Sequence, residues 1–374
     1  MKITIVADVL GNGNNGTSVT ANRLIDSLRK RGHEVRVVAT SYEGLAEFYR
    51  VDKRSFPFLN GYIEKNGVSL AKPDKNLLKK VIQDSDVVHV MMPFKLGQTA
   101  VKTAKQLEVP CTAAFHCQPE NFTTHLKMRE FGLLNDYLYS RFRRVLYRHV
   151  QGIHCPSRFI ETELKNRGYK SRMHVISNGV PDRFVPDKRE KPEAYRDKFC
   201  ILYTGRMSGE KRHDVLIKAI KRSKYKDKIQ LILAGNGPKQ PKIERLCQKY
   251  GIPLDIGLRD QDTLYNIINY CDLYAHPGDV ELESLACLEA ISCGLVPVIS
   301  DSKKSATKQF ALTEHNLFKK GSSRSLAARI DHYIEHEAER LALSERYAEF
   351  ADNFRIDRCM DEMEKMFLSV AKEH

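Results

Sequence analysis

Residues 199–220 read Phe-Cys-Ile-Leu-Tyr-Thr-Gly-Arg-Met-Ser-Gly-Glu-Lys-Arg-His-Asp-Val-Leu-Ile-Lys-Ala-Ile. Phe199–Thr204 is a short apolar run of the kind that forms a strand buried on both faces. Gly205–Lys211 is loop chemistry, and Asp214–Ile220 opens a helix. The same order stands at the start of the chain. Lys2–Ala7 is a strand and Gly11–Gly16 a turn. Val19, Leu24, Ile25 and Leu28 mark one helical face, closed by Arg29–Arg31 before Gly32, and His33–Ala39 is the next strand. Val87–Met91 and Cys111–Phe115 continue the first half. Ile229–Ala234, Leu273–His276 and Val296–Ser300 continue the second. Strands alternating with helices, with glycine loops in each half, predict an α/β protein: two Rossmann-like doubly wound domains facing across a cleft. The loop Val175–Pro181 and the charged, proline-containing stretch up to Lys198 divide the chain into domains at 1–178 and 179–354. A C-terminal helix at about 355–374 is expected to pack back on the first domain.

At 374 residues the chain suits two such domains, and 42% apolar with 29% charged residues is globular composition. Met1–Asn14 is interrupted by Asp8 and runs into glycines, so it is not read as a secretion signal. No run approaches the roughly 18–20 apolar residues of a membrane span. The expected location is cytoplasmic. Nine cysteines without a C-x-x-C pair read as reduced, buried thiols rather than structural zinc ligands. The charge is one-sided. Residues 1–180 carry 28 Lys and Arg against 16 Asp and Glu, whereas residues 181–374 carry 33 against 31. Such a field favours an anionic partner.

Three stretches carry chemistry. Gly11-Asn-Gly-Asn-Asn-Gly16 has G-x-G-x-x-G spacing between a strand and a helix, where bare backbone and a helix N-terminus meet phosphate. A nicotinamide-dependent oxidoreductase also needs an acid ending the second strand. Here that strand ends in Ala39-Thr40-Ser41-Tyr42, which disfavours it. In Gly205–Lys211, Arg206 can fork two bonds to phosphate and Lys211 adds a point charge. In the third, a strand ends at His276, a helix runs from near Ser284 to Gly294, and Glu281 and Glu289 fall about 12 Å apart if the helix spans both. That span suits the hexose and ribose of a nucleotide sugar, with the N–H groups of Leu282, Glu283, Ser284 and Leu285 facing the ligand.

In this order, the glycine loop, His116 in Ala-Phe-His-Cys, Ile176-Ser-Asn178-Gly179-Val180, Gly205-Arg206 to Lys211, Gly235-Asn-Gly237-Pro and Glu281-x7-Glu289 resemble retaining glycosyltransferase family 4, of the two-domain B-type (GT-B) fold. The resemblance implies that Arg206 and Lys211 clamp the donor diphosphate, with the Gly16 amide approaching from the other domain. Glu289 would bind ribose, Glu281 the sugar hydroxyls and His116 the sugar near its C6 hydroxyl. Gly257, Leu258 and Arg259 would pack the base. The catalytic residues expected are therefore His116, Arg206, Lys211 and Glu281. The chain departs from the family at Glu281-Leu-Glu-Ser, where Glu-Gly-Phe-Gly is usual, and at Ser177-Asn-Gly, where Pro-Asn-Gly is usual.

Residues 123–150 read as a long helical region mixing Lys127, Arg129, Arg141, Arg143, Arg144 and Arg148 with Phe131, Leu134, Tyr137, Leu138, Phe142, Leu146 and Tyr147. Basic and aromatic residues together suit a membrane surface, or equally a packed helix with a solvated basic face. The whole is similar to bacterial diacylglycerol glycosyltransferases. That implies a hexosyltransferase moving sugar from a UDP-sugar to diacylglycerol, giving α-monoglycosyl-diacylglycerol, at the inner face of the cell membrane. No cofactor and no metal are expected, because cations rather than an Asp-x-Asp pair should face the diphosphate. A soluble or undecaprenyl-linked glycan acceptor is the alternative. A nucleic-acid partner is not expected, because no recognition module is present.

Overall fold

The computed structural model describes residues 1–8, 10, 16–54, 70–120 and 132–372. The chain forms two compact units: residues 1–178 with 357–374, and residues 179–356.

The first unit opens with β1 (Lys2–Val6), α1 (Gly16–Lys30), β2 (Glu34–Ala39), β3 (Glu47–Arg50), α2 (Lys75–Ile82) and β4 (Val87–Val90), and β2 runs into β3 without a helix between them. They are followed by α3 (Lys95–Gln106), β5 (Cys111–Ala114), α4 (Gly132–Val145), β6 (Gly152–Cys155), α5 (Arg158–Asn166) and β7 (Arg172–Val175). The strand order is β3-β2-β1-β4-β5-β6-β7, every pair parallel. Helices cover both faces of such a sheet, so its central strands are buried throughout: Ile3, Ile5, Val87, Val88 and Ala113 exclude water. Helices α2 and α5 are capped by side chains. Asp74 accepts from the amides of Asn76 and Leu77, and Ser157 accepts from that of Ile160.

The second unit runs β8 (Phe199–Thr204), α6 (His213–Arg222), β9 (Ile229–Ala234), α7 (Gln240–Tyr250), β10 (Leu254–Gly257) and α8 (Gln261–Tyr270). It continues β11 (Leu273–His276), α9 (Leu285–Ser292), β12 (Pro297–Ser300), β13 (Leu317–Phe318), α10 (Ser323–Glu335) and α11 (Glu337–Ala351). Its parallel sheet has the order β10-β9-β8-β11-β12-β13. All six residues of β9 are buried, the signature of a central strand.

The last helix, α12 (Ile356–Lys372), returns to the first unit. Met360, Met363, Met366 and Phe367 are buried. Phe367 stands edge-on to the His89 ring at 5.2 Å, and Arg31 pairs with Asp361 and Glu364. Both chain crossings are tied at the foot of the second unit: Val180 N donates to Phe354 O (2.8 Å) and Ile356 N to Val180 O (2.9 Å).

The single helical region expected over residues 123–150 is α4 followed by a separate 3-10 turn at Tyr147–His149, and residues 121–131 lie outside the described ones. The helix stops because Leu146 leaves helical geometry at φ −139° and ψ −65° with its side chain buried. Tyr147 is drawn into the core, where its hydroxyl donates to Ala114 O at 2.9 Å and its ring meets Phe115 and Tyr169. Phe142 is buried as well, so neither aromatic faces outward.

Candidate active site

In an open parallel sheet, ligands bind beyond the carboxyl ends of the strands where the strand order reverses. In the second domain that point lies between β8 and β11, and the loops leaving these strands carry Gly205–Lys211 and Pro277–Ser284.

Glycine makes the first loop possible. Gly205, Gly235 and Gly237 sit at φ 149°, 152° and 153°, where side chains are strained. A Cβ on Gly235 would overlap the Gly205 carbonyl oxygen, and one on Gly237 would lie 2.7 Å from Met207 O. Without side chains the two loops lie backbone on backbone. Gly205 N donates to Ala234 O (3.0 Å), Met207 N to Asn236 O (2.8 Å) and Lys239 N to Met207 O (2.9 Å). Arg206 is half-buried at the start of this platform.

Lys211, at the end of the same loop, donates from Nζ to Glu281 Oε1, and His276 Nε2 lies 3.4 Å from the same oxygen. Burial alone would raise the Glu281 carboxyl, but the Lys211 ammonium and then His276 hold it down to about 2. Burial disfavours charge on Lys211 too, yet Glu281 raises its affinity for the proton, so the ammonium is kept. Burial pushes His276 down despite Glu281, leaving a neutral ring. The result is a cation with a carboxylate counter-ion, held in low dielectric at the switch point.

The loop after β11 is braced from two sides. Asp279 N donates to Glu210 O (2.9 Å), Ser302 Oγ to Asp279 O (2.6 Å) and Ala306 N to Glu281 O (2.9 Å). Arg212, itself left-handed at φ 52°, donates from Nη1 to Asp279 Oδ2 at 3.0 Å. His276, Asp279, Glu210 and Ser302 were not singled out as site residues from the sequence. Their only signal was position at or just beyond a strand's carboxyl end.

α9 begins at Leu285, so Glu281 lies in the loop before the helix and the 12 Å helical separation from Glu289 does not apply. The reason is Ser284, which caps the helix in the left-handed region at φ 77° and breaks the turn. The resemblance places a glycine there; this chain keeps the glycine-like backbone with a serine, at a cost of order 1–2 kcal/mol. Leu282 and Leu285 are half-buried, Glu283 and Ser284 buried, and Glu289 half-buried on α9. At the end of β10, Leu258 is 55% exposed between Gly257 and Arg259, whose guanidinium is held by Asp255.

In the first domain the order reverses between β1 and β4. Asp8, just past β1, accepts from Ala71 N at 3.0 Å, and burial pushes its carboxyl up to about 7. Residues 11–15 of the glycine loop lie outside the described ones. Gly16 opens α1, and a Cβ added to it would meet nothing within 4 Å. His116 follows β5, buried. Burial first, then His154 and His89, hold it well below the usual histidine range, so its ring is neutral. Its Nε2 is buried and meets no hydrogen-bond partner among the described residues.

Two Asp-x-Asp triplets occur, and both are engaged structurally. Asp84 pairs with Arg36 and Lys2, and Asp86 accepts from Lys2 N, while Asp260 caps α8 and Asp262 pairs with Arg183. Of the four arginines expected at a membrane, Arg141, Arg144 and Arg148 are exposed. Arg143 instead donates from Nη1 to Arg167 O (2.8 Å) and Gly168 O (3.2 Å) and so braces the domain. Leu133 and Tyr137, 85% and 52% exposed, continue the stripe of Arg141 and Arg144 along α4.

Comparison with known proteins agrees with this geometry. Residues 14–184 match the model of Glycosyltransferase Family 4, and residues 184–351 that of Glycosyl transferases group 1. A GDP-mannose-dependent alpha-mannosyltransferase of Corynebacterium glutamicum is 24% identical over 80% of this chain and 72% of its own. The alpha-monoglucosyldiacylglycerol synthase of Streptococcus pneumoniae is 23% identical over 80% of this chain and 71% of its own. Among solved structures, Anabaena HepE in complex with UDP and glucose superposes with TM-score 0.76 at 16% identity, over 99% of this chain and all of that one. The catalytic domain of cholesterol-alpha-glucosyltransferase from Helicobacter pylori is 46% identical over 42% of this chain and 98% of that one, with TM-score 0.41. The two family models together run from residue 14 to residue 351, and the chain belongs to the family 4 glycosyltransferases, built of two Rossmann-like domains.

Proposed function

We propose that the protein is a retaining glycosyltransferase that moves a hexose from a UDP-sugar to diacylglycerol at the inner face of the cell membrane, giving α-monoglycosyl-diacylglycerol. The observation that carries the reading is the half-buried Lys211–Glu281 pair at the switch point of the second domain. When the donor bond breaks, negative charge gathers on the departing diphosphate. A preorganised ammonium and guanidinium from Lys211 and Arg206 stabilise it without a metal. Glu281, lying beside Lys211, offers its oxygens to the sugar hydroxyls, Glu289 binds ribose, and Leu258 covers the base. His116, neutral and with Nε2 unpartnered among the described residues, takes the sugar's C6 hydroxyl. Retention follows from attack on a short-lived oxocarbenium ion on the face the diphosphate leaves.

Support for the lipid acceptor comes from the basic first domain, from the exposed stripe of Leu133, Tyr137, Arg141 and Arg144, and from similarity to the pneumococcal synthase. No helix among the described residues is long and apolar enough to cross a membrane, so the expected attachment is peripheral. The test is incubation with UDP-glucose, UDP-galactose or GDP-mannose. The acceptors are anionic liposomes carrying diacylglycerol or cholesterol, or a soluble glycan, and products are read by mass and anomeric configuration. An α-hexosyl-diacylglycerol from a UDP-sugar is expected. Transfer from GDP-mannose alone, or to cholesterol or soluble glycan alone, would replace the donor or the acceptor in this reading.

A further inference from the structure

Three histidines and a glutamate converge at the junction of the last two helices of the second domain, on elements separate from β8 and β11. His315 lies in the 3-10 turn Glu314–Asn316, His332 in the last turn of α10, His336 between α10 and α11, and Glu339 in the first turn of α11. The His332 ring stacks between the other two, with centroids 3.9 Å from His315 and 4.2 Å from His336. His332 Nε2 lies 3.0 Å from Glu339 Oε2. One ligating atom from each of His315, His332 and Glu339 falls within 4.8 Å of the others. His336 Nδ1 donates to the His332 carbonyl at 2.9 Å, so its Nε2 carries the lone pair.

One further feature distinguishes this cluster from a chance stack of surface rings. The turn bearing His315 is fixed from behind: the Asn316 amide donates to Pro297 O and to the Tyr333 hydroxyl, both at 2.9 Å. Such outer contacts orient metal ligands. Arg329 Nη1 donates weakly to His315 Nδ1 at 3.4 Å, a contact that zinc on Nε2 would break, because the ring proton then sits on Nδ1. Its charge disfavours a metal ion, and the Glu339 carboxylate offsets it.

We propose that His315, His332 and Glu339 form a zinc site that pins the 3-10 turn preceding β13 to the α10–α11 junction. Imidazole nitrogen with one carboxylate suits zinc rather than magnesium or calcium. Bonds of about 2.0–2.1 Å require the ligand atoms to draw closer than they stand. The site is structural and supplies nothing to transfer.

The test uses tag-free full-length protein, stripped with chelator and titrated with zinc by calorimetry, and with cobalt(II) followed by visible absorption. One zinc per chain is expected, with a raised Tm and a cobalt spectrum lacking thiolate charge transfer. Glu339→Gln and His332→Ala should each weaken zinc binding at least about tenfold while the far-ultraviolet spectrum stays native. If His332→Ala does not fold, Glu339→Gln, close to isosteric and only half-buried at this position, decides alone. No stoichiometric zinc in the wild type, unchanged affinity in Glu339→Gln, or a cobalt–thiolate band pointing to the cysteines would each overturn the proposal.

Discussion

Lys211 and Arg206 differ in how they are held, and their loss should differ accordingly. Lys211 has a half-buried carboxylate partner, so Lys211→Ala removes the cation proposed to face the diphosphate and also strands Glu281. Arg206 stands half-buried on a backbone platform. Either replacement by alanine should lower turnover at least about tenfold, the loss of one charge-assisted contact, with the fold retained by circular dichroism. Turnover equal to wild type in both would remove the diphosphate assignment. Glu289 and Glu281 separate by ligand. Glu289→Gln should weaken free UDP about tenfold, as expected for hydrogen bonds to a charged group made neutral. Glu281→Gln should spare UDP or tighten it, since it releases Lys211 from its counter-ion, while weakening the intact donor. Calorimetry with UDP and UDP-sugar reads both. A Glu281 variant that loses UDP as severely as the Glu289 variant would show that Glu281 does not face the sugar.

At the scale of elements, α4 and the 3-10 turn after it present two kinds of arginine. Arg141, Arg144 and Arg148 reach solvent, whereas Arg143 satisfies two carbonyls at the end of α5. Glutamine at the three exposed positions should reduce binding to anionic vesicles and lipid glycosylation together, leaving donor affinity and Tm unchanged. Glutamine at Arg143 should instead cost about 1–3 kcal/mol of stability, for two carbonyls losing a charged donor, and so lower Tm. Sedimentation with vesicles and thermal melts would distinguish them; full activity in the triple variant would favour a soluble acceptor. This division was invisible in the sequence, where the four arginines share one basic stretch. The central strands were legible because burial on both faces writes continuous apolar runs, as in Phe199–Thr204 and Ile229–Ala234. Gly152–Cys155 carries only four residues, among them a glycine and a histidine, and Leu317–Phe318 only two, so neither announces itself. The loop residues at the switch point were half legible. Lys211 and Glu281 stand in recognisable spacing, but 70 residues separate them, and only the sheet order brings them into contact.

For the whole molecule, charge and metal dependence are the readouts. The excess of cations in residues 1–180 should bind vesicles rich in anionic lipid and little to zwitterionic ones. Salt should release it as the Debye length falls from about 10 Å toward 3 Å. Sedimentation indifferent to lipid charge would remove the electrostatic account of docking. Transfer should persist in EDTA, because the diphosphate meets side-chain cations, even if chelation lowers the Tm through the histidine cluster. Activity abolished by EDTA and restored by magnesium or manganese would contradict it.

The return of α12 to the first domain has a consequence for how the protein is made. Residues 357–372 leave the ribosome only after the entire second domain, so the first domain waits, unfinished, through the synthesis of its neighbour. Until then the surface that Met360, Met363, Met366 and Phe367 will cover is open, and each of these side chains contributes about 1.5–3 kcal/mol on burial. That sum is comparable to the whole stability of a typical domain, about 5–15 kcal/mol. The domain translated second is therefore expected to mature first. A chain cut after Ile356 should yield a protease-resistant second domain attached to a first domain that is digested, the reverse of the usual order from N-terminus to C-terminus in nascent chains.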